Sequence, residues 1–227
     1  MVEFNNPEIE PISKFGLEKK FLLDTREKNF LISSLGHFSS VLKVKDENGK
    51  IYTGKFPLFV GNLGEVLTFN FNFSQDYLNK VILSRKHENF IANEIYENVF
   101  VENLEGKKYS PTFKPEGVYN VYMNQTKNYL PAFVNEFDQT FLPLNEISSK
   151  ERDALFGFQQ QIVSKLELEG FTSDCYDLLI DSNWLYSEKK GELKIIDFGW
   201  WKYKNHFNSF PTLSEEFFRE DYFEDKN

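Results

Sequence analysis

The stretch Leu193-Lys194-Ile195-Ile196-Asp197-Phe198-Gly199 decides how the rest of the chain is interpreted. Its first four residues are mostly large and aliphatic, and they predict a strand with a buried face. Asp197, Phe198 and Gly199 follow the strand, and a glycine at this place favours a turn. Upstream, Lys189-Lys190-Gly191 predicts a hairpin turn whose other strand is Leu178-Leu179-Ile180. On its own the stretch also fits a buried strand that ends in a turn and carries no chemistry.

Three strands are predicted in the first half of the chain, because their residues are largely β-branched or aromatic. They cover residues 30–35, 38–45 and 51–60. Asp46-Glu47-Asn48-Gly49 lies between the last two, and Asn-Gly is a strong hairpin signal because both residues tolerate a positive φ. The three strands are therefore expected to form a meander.

The pattern changes to a helical period after Ser74. Apolar residues at helical spacing predict helix over residues 75–101, either as one long helix or as two consecutive ones. A second strand region is expected at 118–123 and 130–137, broken by Pro115 and Pro131 because proline cannot donate a hydrogen bond to a neighbouring strand.

A further helix is predicted to begin at Ser148. Ser148 as N-cap and Glu151 three residues later fit a capping box, in which each side chain bonds a backbone N–H at the helix start. The helix is expected to run to about Glu169 and to end at Gly170, since glycine readily adopts the left-handed conformation that follows many helices.

In this order the features resemble the protein kinase-like superfamily, over most of the chain from about Phe30 to Gly199. Leu35-Gly36-His37-Phe38-Ser39-Ser40-Val41 resembles the kinase glycine-rich loop with its middle glycine alone, and Tyr52-Thr53-Gly54-Lys55-Phe56 resembles the third-strand motif. The resemblance implies an α+β, two-lobed fold in one kinase-like domain. Residues 1–137 would form an N-lobe of antiparallel strands with one long helix, and residues 138–227 a reduced, mostly helical C-lobe.

The resemblance also implies a nucleotide site that uses ATP and Mg²⁺. Val41 and Thr53 would cover the adenine while Lys55 holds the phosphates, with Gly36 in the loop above them. Leu130-Pro131-Ala132-Phe133-Val134-Asn135-Glu136-Phe137 resembles the strand that enters the kinase hinge, whose backbone binds the adenine edge at about Glu136. Asn135 would then occupy the gatekeeper position.

Lys55 needs a carboxylate partner, because a lysine buried without a counter-charge tends to lose its proton. Asn93-Glu94-Ile95-Tyr96-Glu97-Asn98-Val99 resembles the corresponding helix of small-molecule and fungal-type kinases, so Glu94 is the first choice. Glu88 and Glu97 are its competitors, and each helix glutamate also fits a solvated surface charge.

The resemblance makes Asp197 a magnesium ligand, since a hard cation of this size prefers oxygen ligands. Asn183 precedes an apolar stretch at a suitable distance before Asp197 and is expected to be the second metal ligand. Asp177 would be the catalytic base, although it stands one residue too far upstream, with Asp174 further away. In an alternative register Leu178-Leu179-Ile180 is the strand after the loop, Asp177 takes the asparagine position, and the base is missing.

Composition restricts the class of protein. The 227 residues are 41% hydrophobic, enough for one substantial core or two small lobes, and no apolar run reaches the length of a transmembrane helix. The net charge of -9 argues against nucleic acid as a partner, because nonspecific binding needs clustered Lys and Arg. A single cysteine, Cys175, and the polar start lead us to expect a cytoplasmic protein without disulfides or a membrane partner.

Three functional interpretations remain open at the level of sequence. The first is a minimal kinase that transfers the γ-phosphoryl group of ATP to a protein or small-molecule hydroxyl. The second is a pseudokinase that serves as a protein-interaction module, and the third is another α+β fold with chance motif matches. Residues 200–227 are too few for the substrate-binding helices of protein kinases, so we expect a protein partner and an aromatic tail that packs on the C-lobe.

Overall fold

A computed structural model of the chain describes residues 21–23, 39–57, 75–123, 128–173, 181–199 and 201–204. Within these ranges it is an α+β protein with the following elements: β1 (Phe21–Leu23), β2 (Ser39–Lys45), β3 (Ile51–Pro57), α1 (Gln75–Asn98), β4 (Val101–Glu102), β5 (Lys108–Tyr109), β6 (Pro115–Met123), β7 (Asn128–Glu136), β8 (Leu142–Pro143), α2 (Ser149–Leu168), β9 (Phe171–Ser173), β10 (Trp184–Ser187), β11 (Glu192–Ile195) and β12 (Trp201–Tyr203). The contacts divide the described residues into two compact units, one with residues up to 86 and 116–137, the other with 87–115 and 138–204.

The first unit is a closed five-stranded barrel with the strand order β1-β2-β3-β7-β6. β2 pairs antiparallel with β1 and β3, β3 pairs antiparallel with β7, and β1 closes the barrel by pairing parallel to β6. The predicted meander is confirmed for β2 and β3, whereas residues 30–35 and 58–60 lie outside the described residues.

The barrel is filled by every second side chain of its strands, as the two-residue period of a strand requires. The buried cluster consists of Phe21, Leu23, Leu42, Val44, Tyr52, Phe56, Val121, Leu130, Ala132 and Val134. Gly54 belongs to this inner face, and a Cβ there would lie 2.8 Å from Cε2 of Phe56. The absence of a side chain at Gly54 therefore makes room for the Phe56 ring.

The turn between β2 and β3 is the predicted hairpin, with one difference in its backbone. Gly49 has a φ of 79°, but among the described non-glycine residues only Lys204 has a positive φ, so Asn48 stays in the ordinary region. The carboxylate of Asp46 explains the difference, because Oδ1 accepts hydrogen bonds from the amides of Asn48 and Lys50, both at 2.9 Å.

α1 is a single helix that ends at Asn98, and its residues contribute to both units. Its buried residues recur at three- and four-residue intervals. Within residues 81–98, whose burial is described, they are Val81, Ile82, Ser84, Arg85, Glu88, Ile91, Ala92 and Ile95. Two of these buried side chains, Arg85 and Glu88, are charged, which sets this helix apart from an ordinary amphipathic one.

The prolines of the second strand region lie within strands, which corrects the prediction that they would break them. Pro115 is the first residue of β6, and Pro131 lies inside β7. The pairs between β7 and β3 run from Phe133 to Glu136, so Pro131 lies beyond this ladder and its missing N–H breaks none of these bonds.

The second unit contains the predicted hairpin before Asp197, but with a different first strand. β11 pairs antiparallel with β10, and the turn includes Gly191 with a φ of 60°. The partner strand is therefore Trp184–Ser187, while Leu178-Leu179-Ile180 lies outside the described residues. β8 pairs with the other edge of β10, and β9 pairs with β12.

α2 confirms the predicted second helix at both ends. Ser148 and Glu151 form the capping box, and Gly170 follows the helix with a φ of 94°. Its buried face consists of Leu155, Phe158, Gln159, Ile162 and Leu166. None of the helices in the described ranges combines the length and the apolarity that crossing a membrane requires.

Candidate functional site

The hairpin of β10 and β11 brings Asn183 and the Asp197 turn to one end of the same element. Trp184 pairs with Ile195, so Asn183 lies just before β10 where β11 ends. The amide of Ile196 donates a hydrogen bond to the carbonyl of Asn183 at 3.1 Å and extends this pairing by one step. Asn183 and Asp197 are both half-buried. Residues 174–180, on which the choice between the two registers considered from sequence depends, lie outside the described residues.

Asn183 is also fixed from the side of α2. It is the last residue of a short 3-10 turn, Asp181–Asn183. Nη1 of Arg152 in α2 lies 2.8 Å from Oδ2 of Asp181 at the start of this turn. The capped first part of α2 therefore helps to hold the segment from which Asn183 projects.

The Asp197-Phe198-Gly199 turn is anchored by its central residue. Phe198 is buried and its ring packs against Trp201, with a centroid distance of 6.2 Å. The amide of Trp201 donates to the carbonyl of Phe198 at 3.2 Å, and the amide of Gly199 donates to Oδ1 of Asp197 at 3.2 Å. An oxygen of the Asp197 carboxylate is thus oriented by the backbone of its own turn.

Glu88 of α1 lies next to this turn. A Cβ built on Gly199 would be 3.8 Å from Oε1 of Glu88 and 3.6 Å from Oδ1 of Asp197, so the two carboxylates flank the same glycine. The preceding residue, His87, holds this part of α1 near β12, since its Nε2 lies 2.7 Å from the carbonyl oxygen of Trp201. Glu88 is 1% exposed. Two carboxylates that flank the same turn, one of them buried, are stabilised by a positive charge nearby.

Glu94, the glutamate chosen from the sequence, has a different environment. It is half-buried, and its Oε2 accepts a hydrogen bond from Nδ2 of Asn98 at 3.2 Å. Glu97 is exposed. The signal that separates the three glutamates was present in the sequence, because Glu88 is in phase with Ile91 and Ile95, which are three and seven residues further along the helix.

Val41, Thr53 and Lys55 lie together on one face of β2 and β3. Val41 pairs with Lys55, and Thr53 is two residues from Lys55 along β3, so all three project from the outer face of the barrel. Val41 and Thr53 are half-buried, and Oγ1 of Thr53 donates to the carbonyl of Asn135 at 3.4 Å. The two-residue period predicts that Thr53 and Lys55 share a face with Ile51, and β3 has this period. Val41, assigned by resemblance, lies beside Lys55 on that face.

Lys55 is 8% exposed although it belongs to the outer face of the barrel. The next residue, Phe56, is linked to α1, because Nη2 of Arg85 donates to its carbonyl oxygen at 3.3 Å. Arg85 and Glu88 are three residues apart and thus on one side of α1.

Glu136 is paired with Tyr52 at the end of β7. Its carboxylate lies 3.8 Å from Nζ of Lys50, and the side chain is 42% exposed. The role predicted for this position uses the backbone, so the exposed side chain does not bear on it.

The donor set of Asn183 and Asp197 fits magnesium. Mg²⁺ is typically held by one or two protein oxygens, with substrate phosphates and water completing its shell. The described residues contain no group of three or more His, Cys, Asp and Glu side chains suited to a metal. Two oxygen-bearing side chains would leave positions on the metal for phosphate oxygens and water. Gly36, Asp174 and Asp177 lie outside the described residues.

The chain matches no protein-family model, and no curated protein matches it. Among solved structures it is similar to the Rio2 kinase of Chaetomium thermophilum in its ADP/Mg²⁺-phosphoaspartate complex, with 17% identity and a TM-score of 0.48. The similarity covers 85% of this chain and 54% of that one, so the chain spans about half the length of the Rio2 structure.

Proposed function

We propose that this chain is a kinase-like protein that binds ATP and Mg²⁺ and transfers the γ-phosphoryl group to a hydroxyl of a protein or a small molecule. The observation that carries the proposal is the hairpin end at which Asn183 and the Asp197 turn meet. An amide oxygen and a carboxylate oxygen at one strand end are the protein ligands that a phosphate-bridging magnesium uses.

The other roles follow from the resemblance and from the environment of each side chain. Lys55 would hold the phosphates, Val41 and Thr53 would cover the adenine, and backbone groups near Glu136 would bind its edge. For the carboxylate that neutralises Lys55, burial favours Glu88 over Glu94, because Glu88 is 1% exposed and Glu94 contacts Asn98. An ionised carboxylate at this depth is stable only beside a positive charge.

Phosphoryl transfer requires a new bond between the acceptor hydroxyl oxygen and the γ-phosphorus, while the bond from that phosphorus to the β–γ bridging oxygen breaks. Asp177 would take the hydroxyl proton, and ADP would leave with the bridging oxygen. Magnesium, held by Asn183 and Asp197, would supply positive charge at the phosphate oxygens. Lys55 would stabilise the negative charge of the same oxygens.

A second candidate function is a nucleotide-binding interaction module without turnover. One feature of the sequence favours it: five residues before Asn183, where the resemblance puts the catalytic aspartate, the chain has Leu178. If Asp177 does not replace that aspartate, the protein binds nucleotide but lacks a proton acceptor, and it acts through its binding partners.

Thermal unfolding with and without MgATP tests the proposal. A ligand at about 100 times its Kd stabilises the folded state by about 2.7 kcal/mol. For a protein of this size that corresponds to a rise in Tm of roughly 5 to 10 °C. Asp197→Ala and Asn183→Ala should reduce the rise with MgATP and affect the response to ATP in EDTA much less. Asp153→Ala and Asn145→Ala, which change exposed residues, are the matched controls.

An unchanged Tm at millimolar MgATP, in wild type and in Lys55→Ala alike, would count against nucleotide binding altogether. Transfer of label from γ-labelled ATP then separates the two candidates. Labelling that is lost in Asp177→Ala and Asp197→Ala supports the phosphotransferase, whereas binding without any such labelling supports the interaction module.

A further inference from the structure

The strand that leads to Asp197 has its outer edge closed by a short segment of the same unit. Among the described strands β11 is an edge of the sheet β11-β10-β8, so no described strand pairs with the backbone groups of Leu193 and Ile195 on that edge. The hydroxyl of Tyr109 makes two hydrogen bonds with the backbone of Leu193. It accepts one from the amide at 3.0 Å and donates one to the carbonyl at 2.9 Å. Ile195 donates to the carbonyl of Pro111 at 2.8 Å and accepts from Oγ1 of Thr112 at 3.3 Å.

Lys194, between these two residues, binds the same segment with its side chain. Its Nζ donates to the carbonyls of Ser110 at 3.0 Å and Thr112 at 2.8 Å. Three aromatic rings surround the ammonium, those of Tyr109, Phe113 and Phe141, with centroids 5.5, 5.1 and 5.8 Å away. Lys194 is 9% exposed. A buried ammonium between carbonyls and ring faces resists displacement, because these contacts compensate the cost of burying its charge.

The position of Asp197 depends on the register of β11. A slip of one residue would move it by about 3.3 Å along the strand and would turn its side chain to the other face of the sheet. Magnesium tolerates little displacement of a ligand, since it requires near-octahedral geometry at about 2.0 to 2.1 Å. Burial also raises the pKa of the Tyr109 hydroxyl well above its usual range, so that it keeps the proton it donates to Leu193.

We infer that Lys194 is a positioning residue for the metal site: together with residues 109–112, which we call the edge segment, it fixes the register of β11 and so holds Asp197 beside Asn183. The inference rests on the proposed function for the metal, while the geometry of the edge segment is independent of any ligand. Lys194 itself contacts neither nucleotide nor metal in this assignment.

The decisive variant is Lys194→Met, which keeps the length and apolar stem of the side chain but removes its donors and charge. We expect the Mg²⁺ concentration for half-maximal nucleotide binding to rise at least tenfold, while the affinity for ATP in EDTA stays within twofold of wild type. A purely structural role would lower both affinities together. Lys189→Met, on the exposed turn of the same hairpin, is the matched control and should behave as wild type.

Amide hydrogen exchange supplies a second measurement that needs no ligand. The amides of Ile195 and Ile196, bonded to Pro111 and Asn183, should exchange at least tenfold faster in Lys194→Met than in Lys189→Met. If Lys194→Met does not fold, Tyr109→Phe takes its place, because it removes only the hydroxyl that bonds Leu193. It should also raise the Mg²⁺ concentration for half-maximal nucleotide binding and speed the exchange of the two amides.

A folded Lys194→Met with the Mg²⁺ dependence and the exchange rates of Lys189→Met overturns the inference. A wild type that binds no MgATP refutes the proposed function instead, and the exchange rates then still decide whether Lys194 fixes β11.

Discussion

At the scale of single residues, Glu88 is the side chain whose environment most requires an explanation. It is a carboxylate 1% exposed on α1, beside the Asp197 turn, and Lys55 is a lysine 8% exposed on β3. Breaking a buried ion pair by removing one partner costs about 3 to 5 kcal/mol, because the other charge stays buried. The resemblance pairs Lys55 with a helix glutamate, and a double-mutant cycle tests whether Glu88 is that partner.

We expect Glu88→Gln and Lys55→Met each to lower the free energy of unfolding by about 3 kcal/mol. The double variant should cost clearly less than the sum, with a coupling above about 1 kcal/mol, measured by urea unfolding as a double-mutant cycle. The matched cycle with Glu94→Gln should be additive within about 0.5 kcal/mol. Coupling of Lys55 to Glu94 and not to Glu88 would restore the choice made from the sequence.

The sequence predicted the environment of some residues of the proposed site and not of others. The two-residue period along β3 puts Thr53 and Lys55 on one face together with Ile51. Val41 was assigned to the site by resemblance, and it is the strand partner of Lys55. Glu94 was chosen by resemblance, although helical phase pointed to Glu88, since Ile91 and Ile95 lie on the buried side of α1. The aromatic environment of Lys194 had no local signal, because Phe113 and Phe141 come from distant parts of the sequence.

At the scale of elements, the β10–β11 hairpin is held by its turn as well as by its edge. Asp138 lies shortly before β8, and its Oδ2 accepts a hydrogen bond from Nζ of Lys190 in that turn at 2.5 Å. Its Oδ1 accepts hydrogen bonds from the amide and the hydroxyl of Thr140, at 2.9 and 2.7 Å. Burial alone would raise the pKa of Asp138, but these hydrogen bonds hold the pKa down at about 2.

A lowered pKa makes this contribution to stability dependent on pH. The carboxylate stabilises the fold at pH values above the unfolded pKa of about 4, and the contribution is lost as pH falls through the folded value near 2. We expect Asp138→Asn to cost about 1 to 2 kcal/mol at pH 7, as for a partly exposed charged hydrogen bond. The difference from wild type should shrink between pH 4 and 2 in urea unfolding. A loss of unfolding free energy in Asp138→Asn that stays constant from pH 7 to pH 2 would contradict this role of the carboxylate.

The elements themselves were predictable where local signals decide them. The capping box at Ser148 and the glycine after α2 specify a helix from residues within a few positions of each end. The first strand of the hairpin was missed because Leu178-Leu179-Ile180 is more apolar than Trp184–Ser187. Pairing with β8 on one side and β11 on the other favours the less apolar segment, and these contacts are not local.

At the scale of the whole molecule, each unit presents a different part of the proposed chemistry. The barrel carries Lys55 with Val41 and Thr53, and the second unit carries Asn183, Asp197 and Glu88. In the second unit, α2, the edge segment and the Asp138 contact all converge on one hairpin. These polar contacts therefore stabilise the strand end that carries the two proposed metal ligands.

Net charge gives the last prediction, which concerns the class of partner. The chain has 35 acidic and 26 basic residues and a formal charge of -9. Proteins that bind nucleic acid nonspecifically do so by neutralising phosphates with Lys and Arg, with Kd values of about 10⁻⁴ to 10⁻⁶ M at physiological salt and a steep loss of affinity as salt rises. An acidic surface repels the phosphate backbone instead.

We therefore expect no binding of a 20-base-pair DNA or of single-stranded RNA by the folded protein, measured by fluorescence anisotropy at 50 and 200 mM salt. The apparent Kd should stay weaker than about 1 mM, without the salt dependence that phosphate contacts produce. The thermal response to MgATP on the same sample shows that the protein is folded and competent for its proposed ligand. A Kd below about 10 µM that weakens at least tenfold between the two salt concentrations would mean that a local basic surface outweighs the net charge.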